Sequence, residues 1–157
     1  DIKVLDQEFD GFWMQKAYRI PDNDCACTPP GKAPEKTRPI GRYNARSFIT
    51  SLAEGARVAR GDAVQVRGIA FDGGKGIREV QLSTDGGKTW QAAKLGKDMG
   101  RYSFREWHAD FTPKAPGDYT LKVRATNTAG DTQPLEALWN PAGYMRNVVE
   151  AVRVTAA

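Results

Sequence analysis

The sequence predicts an all-β protein, an immunoglobulin-like antiparallel β-sandwich with an N-terminal extended arm. Three observations predict it. From residue 43 onward, about seven short stretches with alternating apolar and polar residues follow one another at intervals of roughly ten residues. Turn-forming residues separate these stretches, in agreement with the 16 glycines and nine prolines of the 157-residue chain. No stretch after residue 43 has a helical apolar pattern of useful length.

The arm divides into two segments. Residues 1–20 contain an alternating strand with Ile2 and Val4, followed by the aromatic segment "GFWMQKAYR". No partner strand follows Ile2 and Val4 closely, and the opening "DIKVLDQEF" suggests that protein upstream is missing. Residues 21–42, "PDNDCACTPPGKAPEKTRPIGR", contain five prolines and two glycines. Proline excludes a helix or a central strand there, so we expect an extended linker lying on a surface.

Residues 43–157 supply the strands of the sandwich. In order, they are "RSFITSL", "AVQVRGIAF", the hairpin "IREVQLSTDGGKTWQAAKL", "RYSFREWHADF", "YTLKVRATN" and "NVVEAVRVT". The segment "AEGARVARGD" between the first two is expected to be a turn. Alternation assigns one set of side chains to the core: Val64, Val66, Val80, Leu82, Tyr119, Leu121, Val123, Ala125, Val148, Val152 and Val154.

One segment interrupts the last two strands. Residues 132–147, "TQPLEALWNPAGYMRN", are longer than a hairpin connection needs and contain Trp139, Tyr144 and Arg146. Asn140-Pro141 and Ala142-Gly143 impose turns. Aromatic side chains beside a cation on a bent loop are typical of a docking surface.

The arm and this loop offer the same chemistry. Trp13 precedes Tyr18 by five positions, and Lys16 and Arg19 flank the tyrosine. Together with the loop, these groups could hold an oxyanion between guanidinium and phenol groups. The residues alone support equally well a second hypothesis, in which both segments pack against a missing neighbour.

Several local motifs favour structural roles. "STDGGKTW", residues 83–90, resembles the Asp-box of sialidase-like propellers, but it occurs once and predicts a self-capped hairpin turn with Trp90 packed below it. His108 is the only histidine, and no second one could share a metal. No nucleophile elbow or phosphate-binding loop is present. We therefore expect no autonomous active site.

The two cysteines, Cys25 and Cys27, are separated by one residue. Such close neighbours rarely bond to each other because the bridge geometry is demanding. A lone C-x-C pair is also a poor zinc site. The sequence therefore predicts free or loop-structural cysteines.

The charge and the distribution of apolar residues argue against two classes of protein. The net charge is +4 and its 23 lysines and arginines are scattered, so we expect no nucleic-acid partner. No run of 18 apolar residues exists, so no membrane-spanning helix is expected.

The chain resembles the C-terminal part of bacterial sulfite oxidase/sulfite dehydrogenase family molybdoenzymes. The segments that carry the resemblance are "FWMQKAYR", "RSFITSLAEGARV", "VRGIAFDGGKGIREVQLSTDGGKTW" and "WNPAGYMRNVVEAVRV". By this resemblance, residues 1–20 are the tail of a molybdopterin-binding domain, 21–42 a linker, and 43–157 the immunoglobulin-like dimerisation domain.

The resemblance also implies a function. In the full enzyme, a molybdenum–molybdopterin centre held by an upstream domain oxidises sulfite to sulfate and passes electrons to a cytochrome c, in the periplasm. This chain would bind no cofactor itself, would be inactive alone and would form a homodimer. Tyr18 is the implied catalytic residue, and Arg146, Trp13 and Trp139 are the implied substrate-binding residues. Relatives from vertebrates and plants carry the loop arginine earlier, where this chain has Ala142.

One alternative from the residues alone is a free-standing immunoglobulin-like binding or adhesion module without catalysis. The single Asp-box-like turn and the exposed aromatic residues favour it. Another is a purely structural domain whose loop touches no substrate.

Overall fold

The computed structural model describes all residues from Asp1 to Ala157 and divides the chain into two compact units. The first unit comprises residues 1–41 and 137–146, and the second comprises residues 42–136 and 147–157. The loop predicted to interrupt the last two strands therefore belongs largely to the same unit as the N-terminal arm.

The first unit contains little regular structure. A single π-helical turn, Trp13–Ala17, is followed by strand β1 (Arg19–Pro21), which pairs antiparallel with β2 (Thr37–Pro39). The segment predicted to be an extended linker thus folds back on itself as a two-stranded ribbon. Both strands of such a ribbon are edge strands, so they tolerate the prolines that a central strand would exclude.

The predicted strand at Ile2 and Val4 is wrong. Residues 1–5 have no regular structure, and both side chains are fully or almost fully exposed. The alternation finds no neighbouring strand to pair with, so the backbone hydrogen bonds that define a strand are not formed.

The second unit is a sandwich of two sheets, which confirms the predicted fold class. Its strands are β3 (Arg46–Ile49), β4 (Ala56–Val58), β5 (Val64–Phe71), β6 (Ile77–Ser83), β7 (Gln91–Ala92), β8 (Lys94–Leu95), β9 (Arg105–Phe111), β10 (Gly117–Asn127) and β11 (Ala151–Ala156). The five-stranded sheet has the order β4-β11-β10-β6-β7, and the four-stranded sheet has the order β3-β5-β9-β8. All pairs are antiparallel except β4 with β11.

The core lies between the two sheets and follows the predicted alternation. Leu82, Leu121 and Val66 are completely buried, and Trp107 is only 1% exposed. Val148 is buried as predicted but precedes β11, which begins at Ala151. Burying each large aliphatic side chain contributes about 1.5–3 kcal/mol, which holds the sandwich together without an inter-sheet disulfide.

Two strands differ from the prediction. The segment expected to be a turn contains β4, which pairs parallel with β11 and is fastened by Glu54, whose carboxylate accepts hydrogen bonds from the backbone N–H and the guanidinium of Arg153. The expected hairpin ends early: β7 pairs with β6, and after Ala93 the chain crosses to the other sheet as β8. One short segment therefore contributes an edge strand to both sheets.

The turn at residues 83–90 closes on itself as predicted. Asp85 accepts hydrogen bonds from the Thr89 hydroxyl (2.6 Å) and the Lys88 N–H (3.0 Å). Ser83 accepts one from the Gly87 N–H (2.8 Å). The Trp90 indole N–H donates to the Gly87 carbonyl, 3.1 Å away. The polar groups of the motif are thus used within the turn.

No helix in the structure combines the length and the apolar character needed to cross a bilayer.

Candidate functional site

Three aromatic rings form the centre of the candidate site in the first unit. The ring centroids of Trp13 and Tyr18 are 5.6 Å apart, and those of Tyr18 and Tyr144 are also 5.6 Å apart. Phe12 adds an edge-to-face contact with Trp13 at 5.1 Å. These separations are typical of favourable aromatic pairs. The structure thus brings the arm and the loop, 126 positions apart at Tyr18 and Tyr144, into one cluster.

Backbone hydrogen bonds position Tyr18. Its N–H donates to the Trp13 carbonyl (2.6 Å), which closes the π-helical turn, and its carbonyl accepts from the Ile40 N–H (2.9 Å). The Arg19 guanidinium donates to the Met14 carbonyl (2.9 Å) and to the Thr37 hydroxyl (2.8 Å). Arg19, which the sequence placed beside a bound oxyanion, is thus engaged in holding the ribbon. The Tyr18 side chain is 42% exposed and can reach a ligand.

Asn140 shapes the loop on the other side of the cluster. Its buried side chain donates to the Tyr144 carbonyl (2.9 Å) and accepts from the Tyr144 N–H (3.2 Å). The next residue, Met145, has a φ of 60°, an uncommon conformation for a residue with a side chain. The asparagine therefore fixes Tyr144 and directs the chain into Arg146.

Trp139 and Arg146 occupy the two ends of this loop. The Trp139 carbonyl accepts a hydrogen bond from the Thr28 N–H (2.8 Å), and its side chain is 37% exposed. Arg146 is exposed and lies two residues after Tyr144, in the same compact unit as Tyr18. All four predicted site residues thus belong to the first unit. The sequence placed Tyr144 in the loop but did not predict it as a site residue. Its position two residues before Arg146 could have indicated such a role.

The prediction of free cysteines is wrong. Cys25 and Cys27 form a disulfide, with their Cα atoms 5.1 Å apart. The residue between them, Ala26, has a φ of 49°. This left-handed conformation folds the chain tightly enough to bring the two Cα atoms into the range that a disulfide requires.

His108 lies on β9, paired with Arg67 on one side and Lys94 on the other. No group of three or more histidine, cysteine, aspartate or glutamate side chains in residues 1–157 is arranged to hold a metal ion. The arrangement around His108 gives no support for a ligand role.

The second unit carries a separate exposed aromatic surface, which we call the outer aromatic surface. It consists of Tyr43, Phe48, Phe71 and Phe104, and the ring of Phe71 lies 5.2–6.2 Å from the other three. Phe71 follows the buried Ala70 on β5, so it points away from the core. Tyr43 and Phe104 are 68% and 58% exposed. This surface was not predicted from the sequence, although the alternation in "IAF" indicated an outward-facing phenylalanine.

A family described as the Mo-co oxidoreductase dimerisation domain matches residues 37–157. The chain belongs to this family. The matched range includes the whole sandwich and the loop with Trp139 and Arg146. It leaves out Trp13 and Tyr18, so the match itself does not reach the arm's half of the aromatic cluster.

Curated relatives of this dimerisation domain protein extend over the arm. The chain is 30% identical to the mitochondrial sulfite oxidase of Drosophila melanogaster over 98% of its length, and 28% identical to the sulfite oxidase of Arabidopsis thaliana over 92%. It covers 29% and 39% of those two proteins. The chain therefore spans about a third of the length of the relatives it matches.

A solved structure has the same fold. The sulfane dehydrogenase SoxCD from Paracoccus pantotrophus superposes with a TM-score of 0.70 over 93% of this chain and 36% of the matched chain, at 22% identity. This similarity supports the architecture of the dimerisation domain.

The family description implies a molybdenum cofactor, and the residues of this chain do not fit it. Both cysteines are bonded to each other, so neither offers a thiolate, and no cluster of metal-ligating side chains is present in residues 1–157. A metal centre in the whole protein would need ligands from outside this chain.

Proposed function

We propose that this chain is the C-terminal dimerisation part of a molybdenum-dependent sulfite-oxidising enzyme, and that it contributes Tyr18 and Arg146 to the substrate pocket. The observation that carries the proposal is the packing of Tyr18 against Tyr144 in one compact unit with the loop that bears Arg146. The sulfite oxidases among the relatives support the choice of sulfite as substrate.

The proposed roles follow from the chemistry of the side chains. The Tyr18 hydroxyl donates a hydrogen bond to a substrate oxygen and assists the transfer of a proton and an electron. The Arg146 guanidinium neutralises the negative charge of sulfite and sulfate, with geometry suited to oxyanions. Trp13 and Trp139 line the pocket and reduce its exposure to water, which strengthens the charge interaction.

The remaining parts of the enzyme lie outside this chain. An upstream domain holds the molybdenum–molybdopterin centre, which supplies the two-electron oxidation when bound. A cytochrome c accepts the electrons, and the enzyme acts in the periplasm.

The outer aromatic surface is the proposed contact with a second copy of this chain. Two of its four rings, those of Tyr43 and Phe104, are more than half exposed, and interface centres are enriched in aromatic and arginine side chains. Arg46 lies 4.4 Å from the ring centroid of Phe48 and donates to Glu150 (2.9 Å), so its charge is already compensated. A second copy is the occupant that the family description favours.

Replacing the two pocket residues in the complete enzyme tests the proposed site. Arg146→Gln should raise the KM for sulfite roughly 10- to 100-fold, since a hydrogen bond to a charged group contributes about 1.5–3 kcal/mol. Tyr18→Phe should lower kcat while the protein stays folded. Steady-state kinetics with sulfite measures both effects.

The matched controls are Arg57→Gln, on the exposed edge strand β4, and Tyr102→Phe, an exposed tyrosine of the second unit. Both should retain wild-type kinetics. If Arg146→Gln and Tyr18→Phe also match the wild type in KM and kcat, the two side chains do not serve the pocket, and the domain has only a structural role.

A further inference from the structure

The disulfide between Cys25 and Cys27 contributes little to the fold. It encloses a single residue and uses the only two cysteines of the chain. In the chain-entropy description, stabilisation by a disulfide grows with the length of the loop that it closes, so a three-residue loop gives the least. The loop is also held by other bonds: the Ala26 N–H donates to the Asn23 carbonyl (3.1 Å), and the Asn23 side chain bonds both the N–H and the carbonyl of Cys27.

The oxidised pair keeps Ala26 in an unfavourable backbone conformation. Its φ of 49° is in the left-handed region, which costs a residue with a Cβ free energy that glycine would not incur. Opening the disulfide removes one of the constraints that hold Ala26 in this conformation. The cost of the positive φ therefore falls on the closed form and favours opening.

The pair is also accessible and ready to re-form. Cys25 is exposed, so an attacking thiolate can reach its sulfur. Only Ala26 separates the two cysteines, so their sulfur atoms stay close to each other along the chain after the disulfide opens. Exposed disulfides that are not needed for the fold are typically the reactive ones.

We propose that Cys25 and Cys27 form a reversible thiol–disulfide redox site that exchanges two electrons with a dithiol. A thiolate of the dithiol attacks Sγ of Cys25, which breaks the disulfide and releases Cys27 as a thiolate that takes up a proton. The second thiol of the donor then displaces Cys25, which is also protonated. The donor leaves as a disulfide, and this chain gains two thiols. The thiol–disulfide exchange itself does not require the proposed sulfite oxidation.

The redox state of the two cysteines should affect the loop that contains Trp139, and Thr28 connects the two. This residue directly follows Cys27, and its N–H donates to the Trp139 carbonyl (2.8 Å) within the first unit. When Ala26 leaves its left-handed conformation, the path of the chain into Thr28 changes. Reduction should therefore weaken the bond that fastens Trp139.

Thiol titration under native conditions tests the redox site. The purified protein is equilibrated with dithiothreitol at graded ratios of reduced to oxidised reagent, quenched with acid, alkylated and weighed by mass spectrometry. We expect both cysteines to become alkylated together, reversibly, while the circular dichroism of the sandwich is unchanged. A disulfide that opens only after the protein unfolds would overturn the proposal.

A glycine replacement provides the sharper test. Ala26→Gly removes the cost of the positive φ from the oxidised form and so stabilises the disulfide. The ratio of reduced to oxidised dithiothreitol at which half of the protein is reduced should therefore rise roughly fivefold. Ala33→Gly, at an exposed position of the same loop where φ is not positive, is the matched control and should leave the ratio unchanged. Equal ratios for the two variants would refute the role assigned to Ala26.

Hydrogen exchange tests the link to Trp139. The Thr28 amide should exchange faster in the reduced protein, whereas the Ile40 amide, bonded to the Tyr18 carbonyl, serves as an internal reference. Equal exchange rates of the Thr28 amide in both redox states would show that the cysteines do not affect the loop.

Discussion

At the scale of single residues, Asp85 shows how one carboxylate organises a turn. Hydrogen bonds from Thr89, through its hydroxyl and its N–H, and then from the Ser83 hydroxyl hold the pKa of Asp85 well below its usual range. The ionised form is therefore favoured in the folded protein. Above pH 4, near the pKa of an unfolded aspartate, this preference stabilises the fold, and it is lost as the pH falls.

Replacing this carboxylate should change how stability depends on pH. We expect Asp85→Asn to be less stable than the wild type at pH 7, and to lose less stability between pH 6 and pH 3, because the group with the depressed pKa is gone. Urea unfolding at both pH values measures the effect. Asp62→Asn, at an exposed turn, should keep the wild-type dependence; an equal dependence for Asp85→Asn would contradict the prediction.

At the scale of elements, the close approach of three strands depends on Gly68 in β5. A Cβ at this position would lie 1.9 Å from the Phe48 carbonyl oxygen of β3 and 2.4 Å from the Trp107 ring of β9. Backbone cannot give way as a flexible side chain can. The absence of a side chain at Gly68 therefore sets the spacing between the core tryptophan and the edge strand.

Adding one methyl group should consequently destabilise the sandwich. Gly68→Ala should lower the free energy of unfolding by about 1–3 kcal/mol, the usual cost of overpacking. Gly41→Ala is the control, since its added Cβ would meet nothing within 4 Å and its φ is not positive. Thermal or denaturant unfolding compares the two; a Gly68→Ala protein as stable as the control would contradict the steric argument.

The long strands could be predicted from sequence because alternation was strong. In β10, Leu121, Val123 and Ala125 all face the core as expected. The short strand β4 was missed because three residues give too little periodicity, and its parallel partner lies almost 100 positions away. The ribbon of β1 and β2 was missed because five prolines indicated an extended connector. Proline is tolerated in an edge strand, and the pairing that makes both strands edges cannot be read from the sequence.

The candidate site could be predicted only in part. The aromatic residues and cations of the arm and the loop suggested a common ligand, and the structure places them in one compact unit. Their contact through Tyr18 and Tyr144 could not be derived, because no local pattern connects residues so distant in the chain. The disulfide was missed for a local reason: a positive φ at Ala26 cannot be read from an alanine.

At the scale of the whole molecule, the outer aromatic surface should determine the oligomeric state. Phe104→Asp places a carboxylate among the four rings, and across a two-fold axis it does so in both copies. We expect this variant to be a monomer at concentrations where the proposed dimer of the wild type forms, because burying an unpaired charge is costly.

Sedimentation velocity measures this difference. Leu135→Asp, a similarly exposed apolar position of the second unit outside the outer aromatic surface, is the control and should remain dimeric. A dimeric Phe104→Asp protein would show that the second copy binds elsewhere.

The discontinuous first unit has a consequence during synthesis. Residues 1–41 leave the ribosome well before their partner segment, residues 137–146, which emerges only after nearly a hundred further residues. The sandwich is also completed late, because β11, which joins β10 to β4, follows residues 137–146. Nascent chains therefore hold two incomplete units until residues 137–157 have emerged, and chaperones have most to protect during that interval.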